Sequence, residues 1–272
     1  CLYNNDYKNL ETPVEEGAKI ELIDISSKEG MKIYVRTIVY IMGRAFENLY
    51  QREKIMVEYQ LGNAMYCKCD NIEITEEFIK NLKDEMQKII EKDEKITKVE
   101  MTRKEAEKFY EENNSSRGRL QFDLEGNEPI YMYFCGKYYN YCYGTLANRT
   151  GIIKIFDVIK YGDGFLIRYP SSKEPTKMPE FHETKKLAWA LEEFEKIHSV
   201  LDVLTVYKLN KAIEEDRIKD VIMLAEALHE KKIANIADDI AKRKNVKMVL
   251  IAGPSSSGKT TFAQRLGIQL RL

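Results

Sequence analysis

The residues with the most explicit chemistry are Gly253, Pro254, Ser255, Ser256, Ser257, Gly258, Lys259 and Thr260, which fit the GxxxxGK[ST] pattern of a phosphate-binding loop without a mismatch. Each type has a reason to stand where it does. Gly253 and Gly258 permit a tight turn and a close approach of phosphate. Lys259 reaches the β- and γ-phosphates of a nucleotide, and Thr260 offers its hydroxyl to Mg²⁺, with Thr261 beside it. The apolar run Val249, Leu250, Ile251 and Ala252 predicts a buried parallel strand over 246–252, and residues 260–270 read as a helix. Strand, turn and helix in that order would aim backbone N–H groups and a helix N-terminus at one point. A plain structural turn is the alternative.

Other chemistry-bearing residues give weaker signals. Cys67 and Cys69 share a strand face, but structural zinc needs a second pair, and Cys135 and Cys142 are too far apart to supply a knuckle. His182, His198 and His229 are isolated, and no HExxH or Gly-x-Ser-x-Gly pattern occurs, so hydrolytic chemistry has no motif. Tyr139, Tyr141 and Tyr143 fall on one strand face, either as a stacking platform for bases or as cross-strand packing. Arg117 and Arg119 lie in a polar turn and face phosphate or solvent.

Composition narrows the classes. Lysine plus arginine number 43 against 44 acidic residues, so the chain of 272 residues has a net charge of −1 and no global field that attracts nucleic acid. Five irregularly spaced cysteines argue against a disulfide framework and for a reducing compartment. No run of eighteen apolar residues and no signal-peptide pattern occur, so the expected location is the cytoplasm.

The elements that must position these residues follow from periodicity. Residues 18–24 alternate as a short strand, and 31–50 carry an apolar stripe at helical spacing. A hairpin follows over 55–70 with its turn at Gly62-Asn63, then a helix capped by Thr75 and a strand over 96–101. Thr102-Arg103-Lys104-Glu105 is a capping box that opens a shorter helix. Residues 130–169 read as antiparallel strands, including 152–159 and 165–169. Pro170 to Pro179 is a proline-punctuated linker, and 183–244 read as helical throughout.

With these residues placed, two resemblances emerge. Residues 34–70 and the run from Tyr139 to Lys154 resemble the second additional domain of threonyl-tRNA synthetases, which edits mischarged tRNA, and residues 1–25 resemble the end of the small ubiquitin-like domain before it. The loop at 253–261 and the helices before it resemble uridine kinase and phosphoribulokinase relatives. The order of parts is similar to a bacterial uridine kinase-like family with a synthetase-like N-terminal half. The expected fold is therefore α+β: the tail of a ubiquitin-like domain (1–25), an antiparallel synthetase-like domain with packed helices (26–170), a linker and helical connector (171–244), and the first βα unit of a P-loop α/β domain (245–272). Twelve residues follow Thr260 and the chain begins at Cys1, so it reads as part of a longer product.

The resemblance implies functions for both halves. In the editing family two histidines stand four apart on the first helix; those positions hold Arg36 and Tyr40 here, and the family's Cys-x-x-x-His falls on Cys142 and Leu146. A permanently charged guanidinium, a phenol and an alkyl chain do not replace histidine, so editing is expected to be lost. The kinase half implies an ATP- and Mg-dependent phosphotransferase with Lys259 as catalytic residue and a nucleoside or sugar hydroxyl as acceptor, the isolated chain being inactive. The alternative is a tRNA- or RNA-binding protein, with the groove around Arg36, Tyr40, Tyr141 and Cys142 as its site, or a structural, homo-oligomerising module, either with a regulatory loop at 253–261.

Overall fold

The computed structural model describes residues 1–8, 10–51, 53–113 and 129–272, so Arg117 and Arg119 lie outside the described residues. The chain forms two units, Cys1–Ala188 and Trp189–Leu272. The proline-punctuated segment 170–179 stays with the first.

The first unit is α+β and antiparallel. Three two-residue strands, β1 (Leu2–Tyr3), β2 (Asp6–Tyr7) and β3 (Ile20–Glu21), pair in the order β2-β1-β3. Helix α1 (Lys28–Tyr50) begins at Ser27, whose side chain accepts from the Gly30 N–H. It buries the face carrying Tyr34, Ile38, Ile41, Met42, Ala45 and Phe46. Strands β4 (Ile55–Gln60) and β5 (Ala64–Cys69) form the expected hairpin, with Gly62 at φ 60° in the turn. Helix α2 (Glu76–Glu91) starts at the Thr75 cap and packs Phe78, Leu82, Met86 and Ile89 into the same core as α1.

Strand β6 (Thr97–Met101) leads to α3 (Arg103–Glu112), where Thr102 and Glu105 make both bonds of the capping box. Strands β7 (Ile130–Cys135) and β8 (Tyr138–Tyr141) complete a sheet of order β6-β7-β8. Strands β9 (Asp157–Tyr161) and β10 (Gly164–Arg168) close a second sheet, β4-β5-β10-β9. The strand expected over 152–159 starts only at Asp157. Before it, Thr150–Ile152 is a 3-10 turn and 153–156 is irregular, because this stretch spends its polar groups on α1: Lys154 and Ile155 donate their N–H groups to the Tyr34 hydroxyl at 3.0 and 2.9 Å.

The second unit is helical. Helix α4 (Lys185–Val200) enters it, followed by α5 (Val206–Glu214), α6 (Ile218–Ala241) and α7 (Lys259–Gln269). Its cores are small: Leu201, Ala212 and Val221 in one, Ile233, Ala237 and Leu266 in the other. Residues 183–244 are not helical throughout, because Asp202 at φ 53° and Asp216 at φ 56° stop the chain in the left-handed region that aspartate tolerates.

The strand expected over 246–252 does not form. A buried parallel strand needs neighbours to take its backbone bonds, and among the described residues of this unit there is no strand at all. Met248 and Leu250 are 77% and 85% exposed, and Ile251 alone of that run packs with Ile233 and Leu266. The sequence-based βα unit is thus reduced to a turn and a helix. No helix among the described residues is long and apolar enough to cross a membrane.

Candidate functional site

A cleft of about 250 Å³ opens in the first unit, lined by Tyr7 of β2, Glu29, Ile33 and Arg36 of α1, Lys98 of β6, Tyr131 of β7, and the run Cys142, Tyr143, Gly144 and Thr145 after β8. The helix supplies one wall because Glu29, Ile33 and Arg36 follow each other at spacings of four and three, one stripe of α1 beside its buried face.

The opposite wall is held by bonds made far along the chain. The buried Thr37 hydroxyl donates to the Ile33 carbonyl at 2.7 Å and accepts the Ala147 N–H at 2.9 Å. Tyr133 donates its hydroxyl to the Gly144 carbonyl at 2.9 Å, so the strand and the helix grip the same loop. Burial, with the neighbouring Cys142 adding to it, pushes the Tyr133 phenol up to about 12, so it stays a proton donor. Gly144 is where the two walls touch: a Cβ there would lie 2.5 Å from the Arg36 Cζ, so the end of that flexible side chain would have to move aside. The guanidinium therefore rests directly on the loop backbone.

Electrostatically, the cleft is cationic. Neither Arg36 nor Lys98 has an ion-pair partner among the described residues. Glu29 is engaged by Lys32 at 2.6 Å. Lys98 stands 3.6 Å over the Tyr131 ring, and partial desolvation holds its ammonium below the ordinary lysine value, with Glu100 opposing. Tyr143 is 81% exposed and sets its ring edge-on to Tyr141 at 5.6 Å between centroids.

The structure separates the sequence-derived residues. Arg36 and Cys142 meet at the cleft. Tyr40 and Leu146 do not: both are buried with Ile96, Tyr133 and Tyr138, and the Tyr40 hydroxyl donates to the Tyr133 carbonyl at 2.9 Å. The groove expected around Arg36, Tyr40, Tyr141 and Cys142 is accordingly lined by Arg36, Lys98, Tyr131, Tyr143 and Cys142 instead. Among the tyrosine row, Tyr139 packs edge-on to Phe109 at 4.8 Å and pairs across the strands with Phe134, so it is sheet packing. Cys67 is fully buried, and Cys69 is half-buried with its thiol pushed up to about 12, mainly by desolvation. No group of three or more histidine, cysteine or acidic side chains suited to a metal occurs among the described residues. The sequence reading missed Lys98, Tyr131, Glu29 and Tyr7, which belong to no motif and come together only through the fold.

The loop Gly253 to Thr261 lies in the second unit. Gly258 adopts φ 73°, helix α7 starts at Lys259, and Lys259 Nζ folds back to the Pro254 carbonyl, with Ser257 Oγ at 3.5 Å. Pro254, Ser255, Ser256 and Ser257 are all exposed, as are Thr260 and Thr261.

No protein-family model matches the chain. Among curated proteins it is similar to a threonine–tRNA ligase of Geobacillus sp. (strain WCH70), 28% identical over 164 residues, covering 60% of this chain and 26% of the relative. A probable cytoplasmic threonine–tRNA ligase of Enterocytozoon bieneusi is 31% identical over 165 residues, 59% of this chain and 25% of the relative. A threonine–tRNA ligase of Caldanaerobacter subterraneus subsp. tengcongensis is 26% identical over 165 residues, 60% of this chain and 26% of the relative. The chain spans about a quarter of the length of the curated relatives it matches. These findings overturn the uridine kinase-like expectation and the phosphotransferase activity attached to it. Similarity points consistently to threonine–tRNA ligases, and the strand that a P-loop domain would need is absent from the described residues.

Proposed function

We propose that this chain is an RNA-binding protein related to threonine–tRNA ligases, acting in the cytoplasm, with the Arg36–Lys98 cleft as the place where it holds a tRNA-like ligand. The observation that carries the reading is a pair of cations without ion-pair partners facing one cleft with tyrosine rings around it. Phosphate attracts such cations, and bases stack on such rings. The net charge of −1 makes this a local site rather than a general affinity for polyanions.

Hydrolytic editing is not part of the proposal. Cys142 is the one polar residue retained among the four positions compared with the editing family; Leu146 offers no base, and the Arg36 guanidinium has donors but no acceptor. Mischarged threonine tRNA should remain intact with the full chain. Turnover lost on Cys142→Ala would overturn this part.

The test of binding is fluorescence anisotropy of labelled tRNA against the full chain at graded salt. Two phosphate contacts predict a log–log slope on the order of −1 to −2, flattened in the Arg36→Ala/Lys98→Ala double variant. Absence of binding at low salt would overturn the reading.

A second reading attaches to Gly253–Thr261, as a loop that holds the phosphates of ATP without any claim of phosphoryl transfer. Its support is the left-handed Gly258 immediately before α7 and Lys259 curled over the loop. Lys259 and the loop N–H groups would hold the phosphates, and the Thr260 hydroxyl would be one ligand of an accompanying Mg²⁺. Equilibrium binding of labelled ATP with Mg²⁺ should weaken about 10-fold or more in Lys259→Ala, on the scale of one charged hydrogen bond. Equal affinity in wild type and variant would remove it.

A further inference from the structure

We infer that the N-terminal three-stranded sheet is a hinged wall of the cleft, a gate latched by the Glu11–Lys95 ion pair and drawn shut by an anion held beneath it. The inference deepens the RNA-binding reading. Its ligand-driven half rests on that reading, while the hinge and the latch rest on how this segment is attached.

Three observations combine. The first is attachment. Residues 1–8 and 10–24 include no buried side chain, and the chain first meets the core at Ile25, which packs against it. Leu22, 84% exposed, stands just before that anchor, so the hinge falls between the two. An element with no buried side chain opens at low cost, because little apolar surface returns to water.

The second is internal order. Asn4 donates its N–H to the Lys19 carbonyl at 2.9 Å, and its Oδ1 accepts the Lys19 N–H at 2.9 Å. Lys8 donates its N–H to the Cys1 carbonyl at 3.0 Å, and the Tyr3 hydroxyl accepts the Glu15 N–H at 3.3 Å. The sheet is bonded to itself and moves as one piece. Among the described residues, one ion pair ties it to the chain just before β6: Glu11 to Lys95 at 2.9 Å, both about half exposed.

The third is what the sheet brings to the cleft. Tyr7 of β2 is part of the lining, and the neighbouring Lys8 acts on Lys98. Desolvation is the main cause of the lowered Lys98 value, and Lys8 pushes it the same way against Glu100. Asp6, the carboxylate beside Lys8, stands 3.9 Å from it. The two ammoniums repel where no anion lies between them, and a phosphate there attracts both. A ligand that meets both walls binds the closed form more tightly and shifts the gate toward it.

The Cys142 thiol lines the cleft and reports its opening without any ligand. The experiment labels the full chain with N-ethylmaleimide and follows each cysteine by peptide mass spectrometry. Rates are taken as thiolate limits from a pH series, which separates access from ionisation. Cys69 on β5 is the internal control. Glu11→Ala and Lys95→Ala should each speed labelling of Cys142 about 2- to 5-fold, the scale of one exposed ion pair. The double variant should add nothing further, because each single change already removes the same latch. Tyr7→Ala, which removes the wall itself, should speed it at least as much. Lys8→Glu should slow it, since attraction to Lys98 replaces repulsion, and a general loosening of the fold would do the reverse. Equal Cys142 rates in wild type and all variants, or changes shared by Cys69, would overturn the gate. Release of labelled tRNA, measured in parallel, should be faster from Glu11→Ala by the same factor. If tRNA binds and leaves wild type and variants equally fast, ligand-driven closure fails and the RNA reading stands. If tRNA does not bind while Cys142 follows the latch, the RNA reading and the closure it drives fail, and the hinge and latch stand.

Discussion

Two regions of this molecule carry a cation beside a glycine, and they are built in opposite ways. In the cleft of the first unit, Arg36 lies over Gly144, and the loop that contains this glycine is fastened to α1 by a bond spanning 110 residues, Ala147 to Thr37. In the loop of the second unit, Lys259 reaches the Pro254 carbonyl only five residues away, and every neighbour is exposed. The first is a site made by the tertiary structure. The second is a local conformation, set by two left-handed residues, Ser256 and Gly258, and the start of a helix. The difference teaches that an explicit motif and a constructed site are separate findings: the motif is a short run of the right residues, while the cleft has walls, a volume and buried supports.

The comparison breaks most sharply if the supports of the cleft prove dispensable. Tyr34 fastens the segment that follows the cleft loop: 2% exposed, it accepts the Lys154 and Ile155 N–H groups and donates to the Ile155 carbonyl at 2.9 Å. Tyr34→Phe keeps the ring and leaves those amides without their acceptor. It should cost roughly 1–3 kcal/mol in urea denaturation, with faster hydrogen exchange at Lys154 and Ile155. An unchanged midpoint and unchanged exchange would mean that the segment after the cleft loop is held by something else.

A smaller and pH-dependent effect should arise at Arg44, on the same helix. Its Nη1 donates to Glu94 Oε2 and, at 2.9 Å, to Cys135 Sγ of β7. The hydrogen bond from Arg44 holds the Glu94 carboxyl below the usual carboxylate range, against an opposing contribution from burial. Since the folded value is depressed, the stabilisation is complete above the unfolded carboxyl value of about 4.3 and is lost as pH falls through the folded one. Glu94→Gln should therefore cost about 1 kcal/mol at neutral pH, discounted for a side chain one-third exposed, and that difference should shrink on acidification. A difference constant from pH 7 to pH 3 would sink the linkage.

Legibility in the sequence divides along the same line. Helix α1, the β4–β5 hairpin, the Thr75 cap and the Thr102–Glu105 capping box depend on residues within a few positions of each other, and periodicity and cap chemistry find them. The resemblance of Tyr139–Lys154 to the synthetase editing domain located the cleft loop, and Arg36 and Cys142 with it. Lys98 and Tyr131 were invisible, because a lysine and a tyrosine on strands say nothing until β6 and β7 lie beside α1. The expected strand over 246–252 failed for the converse reason: its apolar pattern was correct for a buried strand, but burial needs partner strands that the described residues of the second unit do not contain. Asp202 and Asp216, which interrupt the helical segment, are ordinary helix-surface residues by pattern and take left-handed angles only in context.

The smallest effect sharpens the comparison from the other side. Lys259 Nζ bonds to the Pro254 carbonyl in an exposed loop, where water replaces either partner at little cost. Lys259→Ala should therefore leave the unfolding free energy of the second unit, read from urea denaturation, within about ±0.5 kcal/mol of wild type. Helix α7 keeps its anchor in Leu266, buried among Ile233 and Ala237, and its ion pair from Arg265 to Glu230, neither of which involves the lysine. A destabilisation of about 2 kcal/mol would show that the lysine is a structural clasp, and the glycine-rich run would then be a turn held shut. A silent substitution would mean that nothing in the fold requires the charge, leaving it free to meet a phosphate.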